Sequence, residues 1–324
     1  MSKKMKHVEP KKLVVTNLNE VRQKQIWAVL KESGQEDKVP SIVDRIKKFN
    51  KKETNNNKYA YVLTFNGDMR ATEAEDFSKA VTIIMSSGEY CGEVFIKLTS
   101  GGGTVNGYGL LSSEIKRLRD ANLKVTVLID QVAASGGYLA ACVADEVVAA
   151  PFSYIGSIGV VSSIPNINRL LKEKGVSVEE HTAGDKKRNI TMMGETTDED
   201  RNAHKKDLEN IHAQFKSHVE TYRKGISELS DEIKSEVFSG AYWTAQYTVD
   251  NNYGLVDHLS TSEEFLCEKM KVLNVLEISF EKKKEKKGIF AKVLGSLVSG
   301  ATDEILKKVE TRLYQTFMNG KGLN

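Results

Sequence analysis

Long apolar runs are missing from this chain. No segment reaches the roughly 18–20 consecutive apolar residues that a membrane-spanning helix needs. The first twelve residues, Met-Ser-Lys-Lys-Met-Lys-His-Val-Glu-Pro-Lys-Lys, lack the apolar centre of a secretory signal. As written the chain reads as soluble, which leaves open an anchor removed upstream. Cysteine is scarce as well: there are 3, Cys91, Cys142 and Cys267. None sits in a Cys-x-x-Cys pair or in a Cys/His cluster with metal-ligand spacing, so no metal site and no disulfide framework is expected. The compartment stays open, because a chain of this size does not need disulfides. Cys142, in Leu139-Ala-Ala-Cys-Val-Ala, reads as core filler. A charge excess of one sign is also absent. The formal net charge is +3 with 28% charged residues, which argues against a nucleic-acid-binding protein. The basic excess is local, at residues 3–12 and at 282–287 (Lys-Lys-Lys-Glu-Lys-Lys). Each cluster reads as a solvated segment or as a peripheral contact to an anionic membrane surface, worth roughly 1 kcal/mol per basic residue.

What is present is enough apolar material for a sizeable core: 40% of 324 residues. That length suits about two domains, or one α/β domain with extensions. Residues 1–58 are polar and lysine-rich, with helical periodicity at Val21–Leu30 and a loop composition from Lys47 to Lys58. They are expected to form an N-terminal helical extension and linker. From Tyr59 the texture changes to alternating strands and helices. Strands are expected at Tyr59–Phe65, Glu93–Thr99, Val125–Ile129 and Glu146–Ala150. Helices are expected at Asp76–Ser86, at Asn106–Arg119 with a stripe of Leu110, Leu111, Ile115 and Leu118, and at Gly136–Val143. Such alternation with short connections implies an α/β fold of parallel strands joined by crossover helices. A long amphipathic helix follows at 198–224, carrying Leu208, Ile211, Phe215 and Val219. Residues 59–265 are read as the catalytic domain and 266–324 as a basic, amphipathic extension. Within the latter, 289–317 suits either an oligomer-packing helix or one lying on a membrane surface.

Two glycine-rich turns leave strands in this pattern: Ser100-Gly-Gly-Gly-Thr and Ala134-Ser-Gly-Gly. Loops at the strand C-termini of parallel sheets are where ligands bind. Glycines there let backbone N–H groups come close to a substrate, which is what an oxyanion hole requires. Ser135, at the head of a helix and followed by glycine, is a candidate nucleophile. Serine is also a preferred helix N-cap, and the two roles are compatible. The Gly101-Gly-Gly run fits neither a dinucleotide fingerprint nor a P-loop, and alone reads equally as a plain turn. A nucleophilic serine needs a base. No histidine occurs between Ser135 and His181. His204, His212 and His218 read as surface residues of the charged helix. The remaining candidates are His181 and, more strongly, a lysine in His181-Thr-Ala-Gly-Asp-Lys-Lys-Arg. A lysine serves as a base only if burial lowers its pKa by several units.

The runs Leu98-Thr-Ser-Gly-Gly-Gly-Thr-Val-Asn-Gly-Tyr-Gly, Asp130-Gln-Val-Ala-Ala-Ser-Gly-Gly-Tyr and Ala150-Pro-Phe-Ser-Tyr-Ile-Gly-Ser-Ile-Gly-Val-Val appear in this order. With Pro165-Asn-Ile-Asn-Arg, His181-Thr-Ala-Gly and Gly254-Leu-Val-Asp, they resemble the signal peptide peptidase A family (peptidase family S49), in its SohB-like branch. The resemblance covers roughly residues 59–265, and 13–45 more loosely. It implies a crotonase-like (ClpP-like) α/β fold and a serine peptidase that works by a Ser-Lys dyad without metal or organic cofactor. Ser135 would be the nucleophile and Lys187, the third residue after Gly184, the base. Lys186 departs from the family pattern, which often has an aromatic there. The oxyanion donors would be the N–H of Gly136 and that of Gly103 or Gly102. Gly101 replaces a proline common in relatives. Gly159 and Val160 would pair with an extended peptide by strand addition. The resemblance further implies a peptide or unfolded-protein substrate, a homo-oligomer, and a place at the bacterial cell envelope. Two other readings compete: a crotonase-like acyl-CoA enzyme, which shares the oxyanion architecture, and a catalytically silent peptide-binding scaffold.

Overall fold

A computed structural model describes residues 11–34, 59–87, 92–181, 183–184 and 190–281. The chain opens with β1 (Leu13–Asn17) and α1 (Leu18–Glu32), then β2 (Tyr59–Gly67) and α2 (Ala74–Ser86). Next come β3 (Glu93–Ser100), α3 (Val105–Asp120), β4 (Lys124–Ile129), β5 (Val132–Ala134) and α4 (Gly136–Ala141). They are followed by β6 (Glu146–Ala149), β7 (Tyr154–Gly156), α5 (Asn168–Glu173) and α6 (Asp198–Tyr222). The last elements are α7 (Asp231–Val237), β8 (Tyr242–Thr244), α8 (Ala245–Asp250), β9 (His258–Leu259), α9 (Ser262–Lys269) and β10 (Asn274–Phe280).

Among the described residues the strands form one sheet in the order β1-β10-β2-β3-β4-β6-β9, with β5, β7 and β8 branching from β3. The pairs are parallel except β1 with β10 and β7 with β8. Parallel strands covered on both faces read as near-continuous apolar runs, and β4 is buried from Val125 to Ile129. Neighbouring residues of β2 point to opposite faces: Leu63 and Phe65 enter one core, Ala60 and Val62 the other. The larger core lies under α2, α3 and α4, and the smaller is closed by Leu266 of α9. This is the α/β architecture of parallel strands and crossover helices that the sequence implies.

Helix α2 buries Phe77, Ala80, Val81 and Ile84, one stripe at helical spacing. In α3 the buried stripe is Tyr108, Leu111, Ile115 and Leu118, while Leu110 is left 40% exposed. The reason is rotational. Tyr108 lies three residues before Leu111 and shares its face, whereas Leu110 is turned by one residue's rotation. Thr197 and Asp200 make reciprocal capping bonds at the start of α6. The sheet also takes in β1 and β10, and one compact unit of the chain runs from Leu13 to Phe280. Neither strand announces itself by a neighbouring partner, because Leu13 pairs with Phe280 from the far end of the unit.

The Gly254-Leu-Val-Asp motif has a structural job. Arg223, at the end of α6 and buried, donates two hydrogen bonds of 2.8 Å to Asp257 and one of 3.1 Å to the Gly254 carbonyl. Asp257 also accepts from the Val147 N–H at 2.7 Å. Burial works against the charged carboxylate, yet Arg223 and the Val147 N–H hold its pKa below the usual range. Asp257→Ala would strand the guanidinium and should cost about 3 kcal/mol. A lower urea midpoint at unchanged slope would report this loss, and an unmoved midpoint would show that the pair carries no stability.

Candidate active site

Ser135 follows β5 and opens α4, with φ 50° and ψ −122°. This conformation is sparsely populated for any residue but glycine and costs on the order of 1–3 kcal/mol. It is held by the Ser135 N–H donating to Gly156 O at 2.9 Å, and by its own carbonyl accepting from Leu139 N–H at 2.9 Å. The serine occupies the N-cap position, yet its side chain makes no capping hydrogen bond. The Ser135 hydroxyl is thus not spent on the helix.

The second glycine turn packs directly on this one. Gly102 has φ +97°, and a Cβ there would lie 2.7 Å from Ser135 Cβ and 2.8 Å from the Gly136 nitrogen. A Cβ on Gly136 would meet the Tyr108 ring at 2.6 Å, and one on Gly103 would meet Met69 O at 2.2 Å. The N–H of Gly102 is donated to Ser100 Oγ at 3.0 Å. No such bond engages the N–H of Gly103 or of Gly136 among the described residues.

Gly103, Ser135, Gly136, Gly159 and Val160 line one cavity of about 410 Å³. The same cavity is lined by Leu139 of α4 and by Ile211 and Phe215 of α6. Gly159 approaches Gly240, where a Cβ would stand 3.0 Å from the Gly240 Cα. From Val160 to Ser163 no backbone N–H is donated to another backbone group among the described residues. Lys187 and its neighbour Lys186 lie outside the described residues. On the near side of that segment His181 is exposed, with Glu179 at 3.6 Å. On the far side the Asn166 amide nitrogen lies 3.1 Å from Thr191 O and 3.0 Å from Gly194 O, and Asn168 donates to Met193 O at 2.7 Å.

The histidines of α6 are not the surface residues expected. His218 is half-buried in the cavity wall, its Nε2 3.1 Å from Leu139 O and 3.1 Å from Ser112 Oγ. A carbonyl can only accept, so Nε2 carries the proton and is a donor there rather than a base. Burial pushes the imidazole pKa down, partly offset by the bond to Leu139. His212 Nε2 reaches Ile158 O at 3.0 Å. The buried His204 Nε2 has no hydrogen-bond partner among the described residues. The signal was in the spacing: these positions extend the stripe of Leu208, Ile211 and Phe215 at three, four and seven residues.

The sequence profile of Peptidase family S49 matches residues 117–276, and that of Peptidase family S49 N-terminal matches residues 1–115. A probable protease SohB from Buchnera aphidicola subsp. Schlechtendalia chinensis is 42% identical over 211 residues, covering 65% of this chain and 67% of that protein. A probable protease SohB from Haemophilus influenzae is 36% identical over 275 residues, covering 85% and 74%. The solved membrane protease 1510-N, specific for a stomatin homolog from Pyrococcus horikoshii, is 13% identical with a TM-score of 0.38, over 65% of this chain and 78% of that one.

The lowered pKa of His218 has a sign. Below its ordinary value of about 6.5 the unfolded chain takes up the proton first, so stability is lost as pH falls. The melting temperature of the wild type should therefore drop more steeply between roughly pH 7.5 and 5.5 than that of His218→Gln. Equal slopes in circular dichroism melts would remove His218 from the acid response.

Proposed function

The chain belongs to peptidase family S49, and from that premise we propose that it hydrolyses peptide bonds as a serine endopeptidase with Ser135 as nucleophile and Lys187 as general base. The observation that carries this reading is the strained Ser135, its hydroxyl free of capping duty and its backbone in contact with the Gly102 turn. A peptide or unfolded segment would lie extended along Gly159 and Val160, using the unpaired backbone beyond Gly159 for strand addition.

In the proposed sequence, neutral Lys187 takes the Ser135 proton and Oγ attacks the substrate carbonyl carbon. The carbonyl oxygen becomes an oxyanion facing the N–H groups of Gly136 and Gly103, each worth roughly 3 kcal/mol in the transition state. Gly103 is preferred to Gly102 because the Gly102 N–H is already given to Ser100. Lys187 returns its proton to the leaving amine as the C–N bond breaks, leaving an ester on Ser135. Water, deprotonated by the same lysine, then attacks the ester and releases the acid. No step calls on a metal or an organic cofactor. Lys186 precedes Lys187 in the sequence, and repulsion between neighbouring ammonium groups would favour a neutral Lys187. We further propose that the protein works at the bacterial cell envelope as a homo-oligomer, with the lysine-rich sequences at 3–12 and 282–287 as candidate contacts to anionic lipid.

Ser135→Ala should reduce cleavage of an unfolded protein substrate at least about 1,000-fold. A fluorophosphonate probe should label the wild type at Ser135, lose that label in Lys187→Ala, and keep it in Lys186→Ala. Undiminished cleavage by Ser135→Ala overturns the nucleophile, and undiminished labelling of Lys187→Ala overturns the base.

A further inference from the structure

Tyr108 is fully buried in α3 and belongs to none of the groups that would touch a substrate, yet it meets both glycine turns of the site. Its ring lies against Gly136, leaving no room for a Cβ. Its hydroxyl donates to the Asp68 carbonyl at 2.8 Å and is hydrogen-bonded to Ser100 Oγ. Because the Asp68 carbonyl can only accept, the direction of the whole chain follows. The tyrosine proton goes to Asp68 and the Ser100 proton goes to the tyrosine oxygen. A lone pair of Ser100 Oγ is then left for the Gly102 N–H at 3.0 Å.

The far end of this chain is anchored. The Asp68 carboxylate accepts from Arg70 N–H (3.1 Å), Thr72 N–H (2.9 Å) and the Thr72 hydroxyl (2.9 Å), which closes residues 68–72 into a turn. The next carbonyl of that turn, Met69 O, accepts from the Thr104 N–H at 2.8 Å. Gly102 and Thr104 are thus tied to successive residues of one turn, the first through Ser100 and Tyr108, the second directly. Gly103 sits between them.

We infer that Tyr108 and Ser100 are positioning residues for the oxyanion hole, fixing the Gly103 N–H through the hydrogen-bonded chain while the tyrosine ring fixes Gly136. The inference rests on the serine-peptidase reading above. Aligned chains of this kind polarise and stiffen one another, and small displacements of a donor are expensive in rate. Without the tyrosine hydroxyl, Ser100 is free to turn its proton toward Gly67 O, 3.4 Å away. The Gly102 peptide then loses its fixed partner orientation, and with it the aim of the next N–H.

Tyr108→Phe keeps the ring against Gly136 and removes only the hydroxyl. With a chromogenic peptide ester, kcat should fall about 10- to 100-fold while KM stays within about twofold. Labelling of Ser135 by the fluorophosphonate should slow in parallel. A peptide boronate, which forms a tetrahedral adduct, should lose affinity by a similar factor, while a non-cleaved peptide amide should not. Ser100→Ala should reproduce these losses and Ser100→Thr, which keeps a hydroxyl, should restore most of the rate. If Tyr108→Phe lowers only the melting temperature and leaves kcat and boronate affinity unchanged, the pair is merely structural and the inference falls. If both variants lose amide binding and boronate binding equally, the chain shapes the substrate site rather than the donors, and the inference falls likewise. Wild-type labelling at a residue other than Ser135 would instead overturn the nucleophile, and this inference with it.

Discussion

Two backbone turns meet at Gly102, at a distance that no side chain could occupy. A methyl group on its Cα would lie 2.7 Å from Ser135 Cβ and 2.9 Å from Ala134 O. The φ of +97° at this residue adds a second reason for glycine, since the left-handed region is strained for any other residue. The proposed chemistry depends on this approach. It sets the turn after β3 against the turn after β5, two segments separated by α3 and β4. It also brings Gly103 and Gly136 to the wall of one cavity with Ser135. The surrounding glycines follow from the same demand for close packing. Gly137 lies over the Ser100 carbonyl, where a Cβ would come within 2.6 Å.

The strain at Ser135 is not isolated. β5 and β7 run parallel, and Ala134 pairs with Gly156 as their last register partners. The next residue of each strand leaves the sheet at positive φ, 50° at Ser135 and 51° at Ser157. Each turn is secured by a backbone bond: Ser135 N–H to Gly156 O at 2.9 Å, and Ser157 N–H to Ala241 O at 2.6 Å. The two chains therefore diverge at the same level of the sheet. One becomes α4, and the other becomes the segment of Gly159 and Val160. Both line the cavity. An edge in which two adjacent strands end together is a natural place to admit an extended backbone.

Much of this was legible before any coordinates. Strands β2, β3, β4 and β6 and helices α2, α3 and α4 follow from apolar periodicity and from glycine turns, because their partners are near in sequence and their faces are uniform. Ser135 and the Gly101–Gly103 turn stood out for the same local reasons. Strands β1 and β10 did not, since their pairing joins Leu13 to Phe280 and no local pattern encodes so distant a partner. The short strands β5, β7 and β8 carry too few residues to show a period. The α6 histidines were misread because a charged helix suggests a solvated face, whereas their positions follow its apolar stripe. Tyr108 was hidden by Leu110, which looked the better core residue. Only the observed rotation of α3 shows that the tyrosine is inside and that its hydroxyl ends a chain reaching Gly102.

The cavity wall also bears on the choice of base. A lysine can take a proton from serine only in its neutral form, and a nearby carboxylate would hold it charged. Among the described residues, those lining the cavity include no aspartate and no glutamate. Its polar members are largely spent on one another or on backbone: Ser113 donates to Gly109 O at 2.8 Å, and His218 Nε2 bonds Leu139 O. Burial pushes the His218 imidazole pKa down, and among the described residues the wall carries no aspartate, glutamate, lysine or arginine. Such a surface suits an apolar group better than an ammonium ion. In the proposed mechanism, desolvation of Lys187 by a bound peptide would press its pKa down.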